Sequence, residues 1–417
     1  CFLTFSTCLP GAMPYISSKY RDNLSKYKYS GTDKSLLSRY VLTPYWNRLV
    51  KLFPLWVASN RNKPHDSPNL ITMSGLLCVM TNLATLLYYR PDLGTCPNWV
   101  YYSFAAGLFI YQSLDAIDGK QARRTGSSGP LGELFDHGCD ALNTTIEFLL
   151  VTSSLHFGQS WLTVAALAFS LGAFYLSTWE EYHTGTLYLS YFSGPVEGII
   201  ILVAIHTISG IFGPEFWLLK FSDLFGFLDK VAPFVGNLRL NEGFAVFAAI
   251  SLALNIVAGF HNVYVAASSQ KRPVLPALLG FAPFVAACGI AYLWLQASPS
   301  IVHEHLLPFV LYIGASFGYQ VGLIITAHLT KAPFPYFNLM LVPLAIGCIN
   351  ANLPNIFGVE PFFQGKKELP FLWSCFAFSI LVYAHFAISV INELCDYFDI
   401  WCLSIKHKKA GDQTKKD

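Results

Sequence analysis

Charge is what this chain has least of. Only 12% of its 417 residues are Asp, Glu, Lys or Arg, about half the share found in soluble chains, and so few charges cannot cover a water-facing surface of that length. The signs nearly cancel, 27 basic residues against 25 acidic ones for a net charge of +2, which excludes a nucleic-acid partner held by a basic face. The ten cysteines contain no C-x-x-C pair and no metal-ligand spacing, so zinc ribbons and dithiol redox chemistry drop out. Cys78, Cys288, Cys348 and Cys375 lie inside apolar runs and read as buried thiols. No internal repeat is evident. The apolar opening CFLTFSTCLPGAM lacks the basic n-region of a signal peptide. It reads as sequence upstream of a start at Met13, and no function attaches to residues 1–12.

What is abundant is apolar sequence, 53% of the chain, with a mean hydropathy of +0.44. The expected fold is all-α, a polytopic transmembrane bundle. Ten stretches have spanning character: 69–88, 99–117, 134–156, 160–178, 194–212, 243–265, 275–297, 306–329, 335–352 and 370–392. With ten spans both termini share a side, and the basic clusters choose it. Lys26 and Lys28, Arg123 and Arg124, Lys271 and Arg272, Lys331, and Lys406, Lys408 and Lys409 all fall on one face, which the positive-inside rule makes cytosolic. Lys366 and Lys367 fall opposite. Ahead of the spans, Ser17 to Lys34 reads as a polar, basic arm. Leu37, Val41, Tyr45, Leu49 and Phe53 then recur every four residues, with Leu52 and Trp56 alongside. That pattern predicts an amphipathic interfacial helix broken at Pro44, or else a helix packed on the protein's own surface. The division that follows is 1–68 cytosolic arm and interfacial helix, 69–212 catalytic core, 213–242 lumenal loop, 243–392 C-terminal helices and 393–417 cytosolic basic tail.

Against this background the stretch DAIDGKQARRTGSSGPLGELFDHGCD, Asp115 to Asp140, stands out. Asp115 and Asp118 are spaced i,i+3 and Asp136 and Asp140 i,i+4, so on helices each pair shares a face. The loop Arg124 to Pro130 can fold the two helices together. Two carboxylates about 4 Å apart repel by roughly 4 kcal/mol even at a surface-like dielectric, so four require cations. Oxygen-only donors favour Mg²⁺, Mn²⁺ or Ca²⁺, and paired carboxylates around two ions suit displacement at phosphorus.

The pattern D-x-x-D-G-x-x-A-R, eight residues, then G-x-x-x-D-x-x-x-D resembles the signature of the CDP-alcohol phosphotransferase family. Asp115, Asp118, Gly119, Ala122, Arg123, Gly132, Asp136 and Asp140 fill every motif position. The resemblance implies two Mg²⁺ or Mn²⁺ ions on Asp115, Asp118 and Asp136, with Asp140 as fourth ligand or general base. Gly119, Ala122 and Gly132 would let the nucleotide approach the backbone, Arg123 would bind phosphate, and Asn69 matches a family position near the nucleotide. FDHGCD is similar to the choline and ethanolamine branch, where His137 is a candidate base, against a hydrogen-bonding role beside the cluster. The stretch TWEEYHTGTLYLSYFSGPVEGI, Thr178 to Ile199, also resembles that branch. Its Trp179, Glu180, Glu181, Tyr182 and Glu197, with Tyr188, Tyr191 and Phe192, would recognise an ammonium head group, although Trp and Tyr also form interfacial belts. His328 and His385 read as core histidines.

The implied activity is transfer of phosphocholine or phosphoethanolamine from CDP-choline or CDP-ethanolamine to diacylglycerol, releasing CMP. The implied setting is the bilayer of the endoplasmic reticulum or Golgi with the site facing the cytosol. Related enzymes are often dimers, which leaves a homodimer open. The rivals are another acceptor such as inositol, and a cation transporter built on intramembrane carboxylates; transport needs no Gly, Ala and Arg at nucleotide positions.

Overall fold

The computed structural model describes residues 14–33, 35–53, 65–66, 68–189 and 195–405. The opening stretch before Pro14, Trp56, Tyr191, Phe192 and the basic end of the tail lie outside the described residues. Eleven helices carry the architecture: α1 (Thr43–Leu52), α2 (Pro68–Tyr89), α3 (Asn98–Thr125), α4 (Pro130–Ser154), α5 (Trp161–Thr184), α6 (Pro195–Phe212), α7 (Leu240–Ser269), α8 (Ala282–Ala297), α9 (Leu306–Thr330), α10 (Leu341–Phe357) and α11 (Glu368–Phe398). Each of the ten apolar stretches contains a helix, the ninth only from Leu341 onward, and the fold is an all-α membrane bundle. Among the described residues, six helical stretches are long and apolar enough to cross a bilayer: Pro68–Tyr89, Trp161–Thr184, Leu240–Ser269, Val274–Ala297, Leu306–Thr330 and Gly365–Phe398. The helices α6 and α10 are apolar but shorter, and α3 and α4 carry the aspartates.

The core is organised around α4 and α9. The first packs against α2, α5, α6 and α9, and the second also against α5 and α11. In α9, 83% of the most apolar stretch is buried, against 11% in α7; one helix is wrapped by protein and the other faces outward. Lipid tails are as apolar as Leu, so close fit rather than water exclusion holds such helices together. Gly314 shows that fit, because a Cβ there would collide with Thr145 of α4.

Turn chemistry sets the α3–α4 reversal. Gly126 adopts φ 68°, left-handed space that favours glycine, and its N–H caps the Ala122 and Arg123 carbonyls. Pro130 then opens α4 at the first turn, where its missing N–H costs nothing.

Two pieces depart from the expectation. Pro44 does not break the N-terminal helix. Residues Ser38–Leu42 form a π-helical stretch leading into α1, whose wider turn accommodates a proline. Leu42, Trp46 and Val50 bury one face against Ile71, Ile117 and Val196, while Tyr40, Val41 and Leu52 remain exposed, so α1 has both a protein face and an outward apolar face. The arm, read from sequence only as polar and basic, is also tied to the bundle. Its strand β1 (Gly31–Asp33) runs parallel to β3 (Leu187–Leu189), just as β2 (His65–Asp66) pairs antiparallel with β4 (Ser404–Ile405). The Tyr15 and Ile16 amides donate to Glu393 at 2.9 and 3.0 Å, and Asn23 donates to the Thr330 carbonyl at 2.8 Å.

Candidate active site

The α3–α4 reversal brings the motif together. Oxygens of Asp115, Asp118 and Asp136 all lie within 4.8 Å of one another. Asp140, one turn further along α4, accepts a hydrogen bond from the Tyr111 hydroxyl, and Asp118 accepts one from Thr72. One oxygen each of Asp115 and Asp136 is buried without a hydrogen bond from any described residue. Orphaned, clustered carboxylate oxygens are what a divalent ion satisfies, and an all-oxygen set suits Mg²⁺ or Mn²⁺; the residues present fit the metal.

The nucleotide candidates border this cluster. Among the described residues, a Cβ added at Gly119 would have only Arg123 nearby, its Nη1 3.5 Å away, and one at Gly132 only Asn69, its Oδ1 3.9 Å away. Both glycines therefore face open space rather than packed protein, with the exposed Arg123 over one and Asn69 beside the other. Ala122 lies on the same turn. Asn69 donates to the Cys402 carbonyl at 3.0 Å, tying the tail to the start of α2. Around the cluster, Arg124 donates to the Val50 carbonyl and, at 2.9 Å, to Gln121, which fastens α1 to the end of α3.

His137 follows Asp136 on α4. Its Nδ1 is 3.1 Å from the Glu133 carbonyl and its Nε2 3.5 Å from Glu181 of α5. Beyond it, Glu133, Glu181 and His328 form a second buried group. His328, expected as an isolated core histidine, thus belongs to a polar cluster, whereas His385 meets Tyr15 at 3.1 Å.

The expected head-group residues are not gathered around one cavity. Trp179 is fully buried, donates Nε1–H to the Ala277 carbonyl at 3.0 Å and packs on Phe260 and Phe281, so its face is closed to an ammonium. Glu180 points to α7, where Asn262 donates to it at 2.7 Å. Tyr182 donates to the Ala332 carbonyl at 2.7 Å. Glu197 accepts from Ser35 near α1. Of the five, Glu181 alone meets His137. The arm supplies an aromatic instead: Tyr29, 55% exposed, lies in the field of Glu181, Asp136 and Asp115. Partial burial, followed by that negative charge, pushes its phenol up to about 12, so it stays a neutral donor.

Thr72 and Tyr111 were not singled out from sequence. Their signal was positional: Thr72 is one helical turn after Asn69, and Tyr111 one turn before Asp115.

Residues 66–226 match the family described as CDP-alcohol phosphatidyltransferase. The chain is 39% identical to an uncharacterised class-I member of that family from Schizosaccharomyces pombe, over 94% of this chain and 98% of the relative. The chain belongs to the CDP-alcohol phosphatidyltransferase family. Within it, choline/ethanolaminephosphotransferase 1 of Saccharomyces cerevisiae is 37% identical over 95% of this chain and 99% of its own. Choline/ethanolaminephosphotransferase 1 of Arabidopsis thaliana is 35% identical over 95% and 100%.

Proposed function

We propose that this protein transfers phosphocholine or phosphoethanolamine from its CDP ester to the hydroxyl of diacylglycerol, forming phosphatidylcholine or phosphatidylethanolamine and releasing CMP. The observation that carries the reading is the convergence of Asp115, Asp118 and Asp136 at one end of a membrane bundle. Relatives matched over nearly their whole length and named for this chemistry support it.

In the reaction a bond forms between the diacylglycerol oxygen and the phosphorus bearing the head group, and the bond from that phosphorus to the bridging oxygen breaks. The bridging oxygen leaves with CMP. Two Mg²⁺ or Mn²⁺ ions, held by Asp115, Asp118, Asp136 and Asp140, would neutralise the pyrophosphate and polarise the attacked phosphorus. Arg123 binds phosphate oxygens through its planar fork, while Asn69, Gly119, Ala122 and Gly132 shape the nucleotide's seat. His137 takes the hydroxyl proton at Nε2: donation from Nδ1–H to the Glu133 carbonyl leaves Nε2 with its lone pair, and Glu181, 3.5 Å away, steadies the imidazolium.

The reading places the site at the cytosolic face of an endoplasmic reticulum or Golgi membrane, with diacylglycerol entering sideways from lipid. Basic clusters follow or end α3, α7 and α9; Arg272 after α7 donates to the His183 carbonyl near the end of α5 at 2.6 Å, and Asn23 of the arm donates to the Thr330 carbonyl at the end of α9. Related enzymes are often dimers, and light scattering in nanodiscs would tell a homodimer from a monomer. The activity test is head-group transfer by the purified protein with radiolabelled CDP-choline and CDP-ethanolamine in competition. Labelled phospholipid requiring both diacylglycerol and Mg²⁺ supports the reading; no labelled lipid from either donor overturns it.

A further inference from the structure

Beside the aspartate cluster lies a group that the transfer chemistry does not require in full. Donor atoms of Glu133 on α4, Glu181 on α5 and His328 on α9 all lie within 4.8 Å of one another. The side chains of Glu133 and His328 are 5% and 4% exposed, with His328 Nε2 4.0 Å from a Glu133 oxygen, and that of Glu181 is 2% exposed. Both carboxylate oxygens of Glu133, one of Glu181 and Nδ1 of His328 are buried with no hydrogen-bond partner among the described residues. Among the described residues, no lysine or arginine comes within ion-pair distance of either carboxylate. Two carboxylates in such proximity repel by several kcal/mol, and orphaned buried acceptors add a desolvation cost. Among the described residues, only His137, 3.5 Å from Glu181, and His328 itself offer a positive charge at ion-pair distance, and neither hydrogen-bonds the Glu133 oxygens.

We infer that Glu133, Glu181 and His328 form a second metal site, distinct from the aspartate cluster, which takes a divalent transition ion such as Zn²⁺. Donor identity argues for the class: an imidazole with two carboxylates suits Zn²⁺ or Mn²⁺, whereas Mg²⁺ prefers oxygen alone. Size argues against the substrate's ammonium. Metal–donor distances of about 2.0–2.2 Å place ligands a few ångströms apart, so the triangle closes on an ion with sub-ångström shifts, but a trimethylammonium is too wide to sit inside it. Three protein ligands from three helices leave an open coordination position. Because Glu181 also faces His137, the ion draws Glu181 away from the imidazole and restrains proton transfer. The site is thus a brake rather than part of the catalytic pair, an inference that goes beyond the proposed activity.

The test counts metal and does not use turnover. The full chain in nanodiscs is stripped with chelator and equilibrated with Zn²⁺ in excess Mg²⁺. Bound zinc is then measured by mass spectrometry for wild type, Asp115→Asn, Glu133→Gln and His328→Gln. A single zinc in wild type and in Asp115→Asn, lost in the other two, is the expected result. No zinc in wild type, loss in Asp115→Asn alone, or retention in both Glu133→Gln and His328→Gln overturns the site. If neither variant folds, zinc K-edge absorption of the wild type decides: an imidazole nitrogen in the shell supports it, and an all-oxygen shell sinks it. Absence of zinc binding together with weakened CDP-choline binding in Glu133→Gln would assign the pocket to the head group instead.

Discussion

Thr72 and Tyr111 each place a hydroxyl against a carboxylate that its neighbours would otherwise repel. Orienting bonds of this kind typically govern metal affinity 10–100-fold. Thr72→Ala and Tyr111→Phe should therefore raise the Mg²⁺ concentration for half-maximal transfer by roughly that factor, with maximal rate recovered at high Mg²⁺. Asp115→Ala, Asp118→Ala and Asp136→Ala should instead abolish transfer at any Mg²⁺ concentration while the protein still elutes as a folded species; full turnover in excess EDTA would refute the metal requirement. His137 lends itself to a kinetic separation. General-base loss is worth about 10² to 10⁴ in rate, so single-turnover transfer by His137→Ala should fall within that range while calorimetric CDP-choline affinity holds. A rate within about threefold of wild type, too small for general-base loss, would move the base to Asp140. The motif residues were legible from sequence because their spacing encodes a shared helix face. Thr72 and Tyr111 were not, since a hydroxyl on an apolar helix has no pattern of its own.

At the scale of elements, what sequence withheld was the rotation of α5. Glu180 and Glu181 are adjacent and about 100° apart on a helix, and only the positions of α4 and α7 decide which one reaches the site. Trp179 and Tyr182 went with the wrong partners for the same reason. Their aromatic character suggested a cage, but α7 and the loop after α9 claim them. Trp179→Ala should then act as a core truncation, costing about 3–5 kcal/mol and lowering choline and ethanolamine transfer in equal proportion. A thermal melt beside the transfer ratio checks this, and a selective loss of choline transfer without a lowered melting temperature would restore the cage. The π-helical entry to α1 was similarly invisible, because Pro44 signals a break whatever the width of the preceding turn.

Across the whole molecule the division into arm, core and C-terminal helices followed hydropathy, and hydropathy cannot see that the arm is strapped down. Glu393 receives two backbone amides from Tyr15 and Ile16, with Arg21 3.9 Å away. Hydrogen bonds to a charged group contribute about 1.5–3 kcal/mol, so Glu393→Ala should speed amide exchange in residues 15–33 by roughly tenfold or more. Exchange in α4 and α9 should not change; unaltered arm protection would mean that the β1–β3 pairing alone holds it.

The burial of α9 has a consequence for how the chain is made. α4 leaves the ribosome with Glu133, Asp136, His137, Asp140 and Glu147 along it, well before α9, which later covers part of that helix, has been translated. A nascent chain must carry these carboxyl groups into the bilayer half-clothed. Chains ending shortly before Leu306 should accordingly be recognised by membrane quality control and degraded, even though every motif position is already present, and pulse-chase of such truncations would show it. The aspartate motif is complete by Asp140; the protein that can hold it is complete only when α9 has inserted.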